Sequence, residues 1–286
     1  MSGAWAAFAR AVVMVVVAGL VTACSTSDVL RSTSKPVPTS ASSKYAAIVI
    51  DANTGKVLHA DQADSRRYPA SLTKMMTVYM LLEAMQQGRV GASTDIPISA
   101  YAASRPPTKL HFKGGQSIEV DTAIRAMVTK SANDVATAVA EHLGGTEARF
   151  AGMMTAKARQ LGMGSTVFRN ASGLPDPGQV TTARDMATLS LALRRHFPGQ
   201  YGYFGRTSFA FRGKSVRGHN KVLETVRGAD GIKTGYTRAS GFNLATSVRR
   251  DGKSIVAVVM GGNSAGQRDA LMAQLIETFL PKASRR

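Results

Sequence analysis

The apolar positions of this chain are arranged differently in its three parts. Tyr45 to Asp51 is an almost unbroken apolar run, as a strand buried on both faces requires. Asn53-Thr54-Gly55 then supplies turn chemistry, and Lys56 to Ala60 returns as a second strand. Near the other end, Gly231 to Thr237, Phe242 to Arg249 and Ser254 to Met260 predict three more strands. The last two flank Arg250-Asp251-Gly252-Lys253, where Asp-Gly is a strong hairpin signal. Helical spacing governs the stretch between: Ser71 to Gln87, Asp121 to Thr129, Ala132 to Leu143, Phe150 to Leu161 and Thr182 to Arg194. A final helix is predicted over Ala265 to Leu280, with Leu271, Met272, Leu275, Ile276, Phe279 and Leu280 on one stripe. The pattern predicts an α+β fold, with one discontinuous antiparallel sheet of five strands from both chain ends and an inserted helical subdomain. A cleft at their junction is the expected place for a site.

The first 23 residues stand outside that pattern. A short n-region ends at Arg10, an apolar run spans Ala11 to Leu20, and Val21-Thr22-Ala23 offers small residues for cleavage, so residues 1–23 read as a secretory signal. Cys24, the sole cysteine, follows directly. Two readings stand: a lipobox-like lipidation site giving membrane association through Cys24, or ordinary signal-peptidase cleavage. Residues 24–44 are rich in Ser, Thr and Pro and read as a flexible linker. The folded domain is expected over 45–281, with a basic tail at 282–286, and the protein is expected to be exported to the periplasm or cell envelope. A lone cysteine leaves the fold to rest on packing rather than disulfides.

Net charge is +18 over 286 residues. Taking away the segment through Lys44 removes four basic residues and one acid and leaves +15, so the excess belongs to the domain itself. An exported chain rarely meets nucleic acid, so nucleic acid is not expected as a partner. Anionic envelope surfaces, or simply a well-solvated basic surface, account for the charge.

Three short motifs occur in order: Ser71-Leu-Thr-Lys74, Ser131-Ala-Asn133 and Lys233-Thr234-Gly235, separated by 60 and 102 residues. Ser-x-x-Lys is weak alone, and Ser32-Thr-Ser-Lys35 repeats it; the other two motifs occur once each. At the start of a helix, positions i and i+3 share a face, which sets the Lys74 amine beside the Ser71 hydroxyl. A serine needs a base to become a nucleophile, and a lysine of depressed pKa serves. The helix terminus and Lys233 both push Lys74 toward neutrality. Ser131 lies between two predicted helices, where it can relay protons, cap the following helix, or do both. The Asn133 amide can donate to and accept from a peptide bond. Lys233 supplies positive charge, Thr234 a hydroxyl for a carboxylate, and Gly235 room for a substrate backbone along the strand edge. The Tyr236 N–H is a candidate second oxyanion donor, beside that of Ser71.

With these motifs in place, Tyr45 to Leu280 resembles the serine-type D-alanyl-D-alanine carboxypeptidases, low-molecular-mass penicillin-binding proteins. The resemblance extends to Ile50-Asp51-Ala-Asn-Thr-Gly55, Leu161-Gly162-Met163, Ser172-Gly173-Leu174 and Thr182-Ala183-Arg184-Asp185. It implies a β-lactamase/transpeptidase-like fold and an acyl-enzyme formed on Ser71. Lys74 would take the proton and Ser131 would relay one to the departing D-alanine. Asn133 would hold the peptide, Lys233 and Thr234 the terminal carboxylate, and the Ser71 and Tyr236 N–H groups the oxyanion. Peptidoglycan stem peptides are the implied substrates, β-lactams the implied acylating inhibitors, and no cofactor or metal is implied. Two departures stand out. Many relatives continue into a C-terminal β-domain and membrane helix, whereas this sequence stops at Arg286, and Met154-Thr155 stands where relatives carry Met-Asn.

Rival readings are weaker. A class A β-lactamase deacylates with a loop glutamate, and no glutamate occurs between Glu147 and Glu224. DD-endopeptidase cleavage or transpeptidation on the same fold would use the same residues, and an idle wall-binding lipoprotein would not need all of them. The five histidines (His59, His111, His142, His196, His219) show no zinc-motif spacing, and no general-base histidine lies near any Gly-x-Ser-x-Gly sequence.

Overall fold

The structure is a computed structural model describing residues 42–286; the signal segment, Cys24 and most of the linker lie outside the described residues. Strands β1 (Ala46–Asp51), β2 (Val57–Asp61), β7 (Ala229–Thr237), β8 (Gly241–Arg250) and β9 (Lys253–Gly262) form one antiparallel sheet in the order β2-β1-β9-β8-β7. Two small ladders that the sequence pattern did not signal, β3 (Asp95–Pro97) with β4 (Ser117–Glu119) and β5 (Ser208–Phe211) with β6 (Lys214–Arg217), lie between. The helices are α1 (Lys74–Gln86), α2 (Ala100–Ser104), α3 (Val120–Arg125), α4 (Asn133–Gly144), α5 (Glu147–Gln160), α6 (Ala183–His196), α7 (Val222–Thr225) and α8 (Ala265–Phe279).

Side-chain alternation explains why β1 and β9 are apolar throughout. Ala46, Ile48 and Ile50 of β1, with Val256, Val258 and Met260 of β9, face the core shared with the helical insert. Tyr45, Ala47, Val49, Ile255, Ala257 and Val259 face the opposite core, where α8 lays down Met272, Leu275 and Ile276. Period-two alternation thus feeds two cores from each strand. The order is α8, sheet, then helical insert. Within the insert α1 is buried nearly all round, as a helix without a polar face must be.

Helix boundaries differ from the sequence-based expectation where capping decides them. Thr146 accepts from Arg149 N–H and starts α5 three residues earlier than its apolar run suggests, and Thr182 and Ser264 cap α6 and α8 in the same way. The helix expected from Ser71 is two pieces, a 3₁₀ turn over Ala70–Thr73 followed by α1 from Lys74. The helix expected over Asp121 to Thr129 changes after Arg125 into a π-turn over Ala126–Lys130.

Candidate active site

Ser71 sits in the 3₁₀ turn, and Lys74 opens α1 one turn on. Lys74 is 1% exposed, and its Nζ has three polar neighbours: Ser71 Oγ at 3.3 Å, Asn133 Oδ1 at 2.6 Å and the Ser172 carbonyl at 2.6 Å. Burial, and next the positive charge of Lys233, hold the Lys74 amine well below its ordinary range against opposing pulls from Asp134 and Glu147. The consequence is directional. An amide oxygen and a backbone carbonyl only accept hydrogen bonds. When Lys74 is neutral, its two N–H groups go to those oxygens, and its lone pair is left facing the Ser71 hydroxyl.

Three backbone positions of positive φ shape this corner. Ala70 (φ 48°) immediately precedes Ser71, and Ser131 (φ 64°) ends the π-turn. Such a conformation costs a non-glycine residue about 1–2 kcal/mol and is tolerated where the surroundings enforce it. The Ser131 N–H reaches back to the Ala126 carbonyl, and Ala132 rather than Ser131 stands at the helix N-cap. The capping alternative for Ser131 is therefore overturned. Its Oγ is buried and makes no hydrogen bond, which leaves it available for proton transfer. The third position, Gly173 (φ 85°), lies against the nucleophile: a Cβ there would stand 1.9 Å from Ala70 O and 2.9 Å from Ser71 N.

Asn133 differs from the sequence-based expectation. Its Oδ1 accepts from Lys74, its Nδ2 donates to Pro106 O at 2.6 Å, and its backbone N–H donates to Thr108 O. The amide is first a brace for the base and offers a substrate only its remaining N–H. Gly235 also differs: a Cβ there would meet Ser71 N at 3.1 Å and Pro69 O at 3.2 Å. The room it leaves is taken by the nucleophile turn rather than reserved for a substrate.

Lys233, Gly235 and Thr237 share one face of β7, while Thr234 and Tyr236 alternate to the other. Lys233 is 2% exposed, donates to the Thr234 carbonyl at 3.0 Å, and is held down to about 7, by burial and then by Arg268. β7 ends the sheet, with a ladder to β8 alone. The Thr237 N–H donates to Ser240 Oγ at 2.9 Å. By strand alternation the Tyr236 N–H then faces the open edge. The Tyr236 ring, 56% exposed, stacks on Phe242 at 4.2 Å. Ser71, Asn133, Gly173, Tyr236 and Arg238 line a cavity of about 300 Å³, and Lys74, Ser131 and Lys233 are buried.

Residues that sequence reasoning missed hold this arrangement in place. Buried Asn243 donates from Nδ2 to the Tyr68 and Pro69 carbonyls and accepts from Gly261 N–H, tying the nucleophile turn to β8 and β9. Asn170 Oδ1 accepts from Ser172 N–H and Gly173 N–H and so fixes the carbonyl that faces Lys74. Buried Glu147 accepts from Ala171 N–H and Thr137 Oγ1. The only sequence cue was the Ser172-Gly173 pair, because a carbonyl ligand has no side-chain signature.

A family model described as D-alanyl-D-alanine carboxypeptidase matches residues 31–264. The chain is 36% identical over 236 residues to the D-alanyl-D-alanine carboxypeptidase DacA of Escherichia coli, covering 80% of this chain and 59% of that protein, so it spans a little over half that relative's length. Its fold matches penicillin binding protein 5 from Haemophilus influenzae with TM-score 0.80 at 30% identity, over 85% of this chain and 72% of that one. It also matches a penicillin-binding protein from Listeria monocytogenes in its cefotaxime-bound form, with TM-score 0.71 at 29% identity, over 81% and 95% of the two chains. The expected fold class is thereby established, and a match running through all three motifs settles the kinship: the chain belongs to the D-alanyl-D-alanine carboxypeptidase family.

Proposed function

We propose that this chain is a serine peptidase that removes the terminal D-alanine from peptidoglycan stem peptides through an acyl-enzyme on Ser71. The observation that carries the reading is the Lys74 amine, buried, depressed in pKa and held by two acceptor-only oxygens so that its lone pair faces Ser71. Ser71 Oγ attacks the carbonyl between the two D-alanines as its proton passes to Lys74. The developing oxyanion lies between the Ser71 and Tyr236 N–H groups, each such donor worth roughly 10²–10³ in rate. Collapse breaks the C–N bond, and Ser131 hands the departing amine its proton and takes the one held by Lys74, which is neutral again. Lys233 and Thr234 hold the terminal carboxylate. Water then attacks the ester as Lys74 takes its proton, the ester C–O bond breaks, Lys74 returns the proton to Ser71 Oγ, and the shortened peptide leaves. β-Lactams acylate the same hydroxyl, a reading supported by the cefotaxime-bound Listeria relative.

The substrate lies outside the cytoplasm, which agrees with the signal-like residues 1–23 and an exported domain, lipidated at Cys24 or free. The test is to incubate the purified chain with fluorescent penicillin, and separately with a pentapeptide ending in D-Ala-D-Ala while assaying free D-alanine. Covalent label and D-alanine release are expected, both lost in Ser71→Ala and slowed at least ~10²-fold in Lys74→Ala. Label without release would redirect the reading to cross-linked substrates, and full activity in either variant would overturn the assignment.

A further inference from the structure

The far end of the five-stranded sheet carries a cavity of about 250 Å³, between the β8–β9 hairpin tip and the segment that follows α8. Gly235, beside Ser71, pairs with Asn243, and the seven residues from Asn243 to Arg250 advance about 23 Å along β8. The cavity thus lies at the opposite end of the sheet from the nucleophile. Four cations line it, Arg227, Arg250, Lys253 and Arg285, against two carboxylates, Asp251 and Glu277. Both carboxylates are already engaged. Glu277 accepts two hydrogen bonds from the Arg250 guanidinium, at 2.6 and 3.2 Å, and Asp251 meets Arg227 at 3.3 Å. Among the described residues Lys253 and Arg285 have no carboxylate partner: Lys253 Nζ donates to the Pro281 carbonyl, and the Arg285 guanidinium makes no hydrogen bond.

The backbone holds these charges together. Lys253 pairs with Arg250 across the hairpin and with Arg285 on its other side, so three cations stand in one cross-strand row. Side chains directly opposite each other share a face about 5 Å apart, and like charges so placed repel. The row cannot open, because both flanks are tied down. The Arg286 N–H donates to the Gly252 carbonyl at 3.0 Å, and Asn53 Nδ2 donates to the Gly252 and Ser284 carbonyls. The Ser284 N–H donates to Asp51 Oδ2, at 2.9 Å, on buried β1. Only Arg250 has its charge answered within the row. An anion shared by the other two would turn their repulsion into attraction. Phosphate suits that place, because its oxygens point in tetrahedral directions and take an arginine fork and a lysine ammonium at once. We propose that this cavity is a binding site for a phosphate group, held by Lys253 and Arg285. The site does not depend on the peptidase chemistry, and its ligand is either a lipid headgroup or a free phosphate.

The test is to titrate inorganic phosphate into the isotope-labelled chain at about 0.15 M sodium chloride, where exposed charges are screened. The backbone amide signals of Gly252, Lys253 and Arg285 report the binding, so that any phosphate drawn to Lys233 in the active site is read separately. One saturable curve is expected at these amides. Arg285→Gln removes an exposed side chain with no partner to lose and should weaken binding about fivefold, and Lys253→Gln should do the same. Lys113→Gln, which removes an exposed cation from the helical insert, should leave the curve unchanged. Dihexanoylphosphatidylglycerol, a soluble lipid, separates the two sources: displacement of phosphate at these amides assigns a lipid headgroup, and no displacement assigns a free phosphate. The absence of a saturable shift at the hairpin tip, or an affinity that Arg285→Gln leaves within twofold of the parent, overturns the site.

Discussion

Adding one methyl group at Gly173 tests how closely the nucleophile is held. The Cβ of Gly173→Ala would start 1.9 Å from Ala70 O and 2.4 Å from Ala70 C, whereas ordinary contact begins at 3.4 Å. The opposing atoms are backbone, so they have no rotamer to change, and the turn carrying Ser71 must move by more than 1 Å. A φ of 85° adds about 1 kcal/mol for alanine. Displacing a reacting group by ~1 Å costs about 10²-fold in rate. The second-order rate of fluorescent-penicillin acylation should therefore fall by about 10² or more. Each kcal/mol of lost stability should lower the melting temperature by only ~2–4 °C, so the protein stays folded for the assay. Gly152→Ala is the control, since it lies in α5 with nothing within 4 Å of its Cβ position and should leave acylation unchanged. Acylation of folded Gly173→Ala within threefold of the parent rate would refute the argument that this contact positions the nucleophile.

Asn243→Ala strands the Tyr68 and Pro69 carbonyls and the Gly261 N–H in a dry interior, at about 1 kcal/mol each. Urea unfolding should show a loss of ~3 kcal/mol together with slower penicillin labelling, and an unchanged midpoint would contradict the tie. The pH profile of kcat/KM for a carboxylate-terminated peptide should have two limbs. Activity falls on the acid side as Lys74 takes up a proton, and falls on the alkaline side near pH 7 as Lys233 loses its charge. Lys233→Arg stays charged throughout, so a surviving alkaline limb in that variant would assign it elsewhere.

The sheet was legible because its strands announce themselves by composition. β1 and β9 must be apolar on both faces, and the hairpin tip carries Asp251 and Gly252 at φ 52° and 76°, the left-handed pair for which Asp-Gly is suited. The meeting of the Lys74 amine with the Ser71 hydroxyl was legible from i, i+3 spacing, which holds through a 3₁₀ turn as through an α-helix. What stayed hidden was backbone chemistry. Nothing in Ala126-Met-Val-Thr-Lys130 distinguishes a π-turn from an α-turn, yet that turn delivers Ser131 at φ 64°. The Ser172 carbonyl leaves no trace in residue type. Asn243 reads as an ordinary polar position in β8, and only its depth in the sheet, 0% exposed, shows it anchoring the turn. Asn133 was found, but its partners turned out to be Lys74 and Pro106 rather than open space.

The pairing of β1 with β9 joins Ala46 to Met260 and Asp51 to Ile255, partners more than 200 residues apart. Contacts of such long sequence separation slow folding, because closure entropy is spent before they form. The helical insert contributes most of the residues of the core it shares with β1 and β9. Folding is therefore expected to run from the insert outward, with sheet closure last. Ser71 meets Gly235 only across β7, which is aligned by β8, which is in turn aligned by β9. A ribosome that has released everything before Lys253 has already delivered every residue of the three motifs, but the nucleophile's corner still has no floor. Competence for the chemistry is thus acquired at the final closure of the sheet, and a nascent or proteolytically shortened chain should be as inert toward penicillin as one without Ser71.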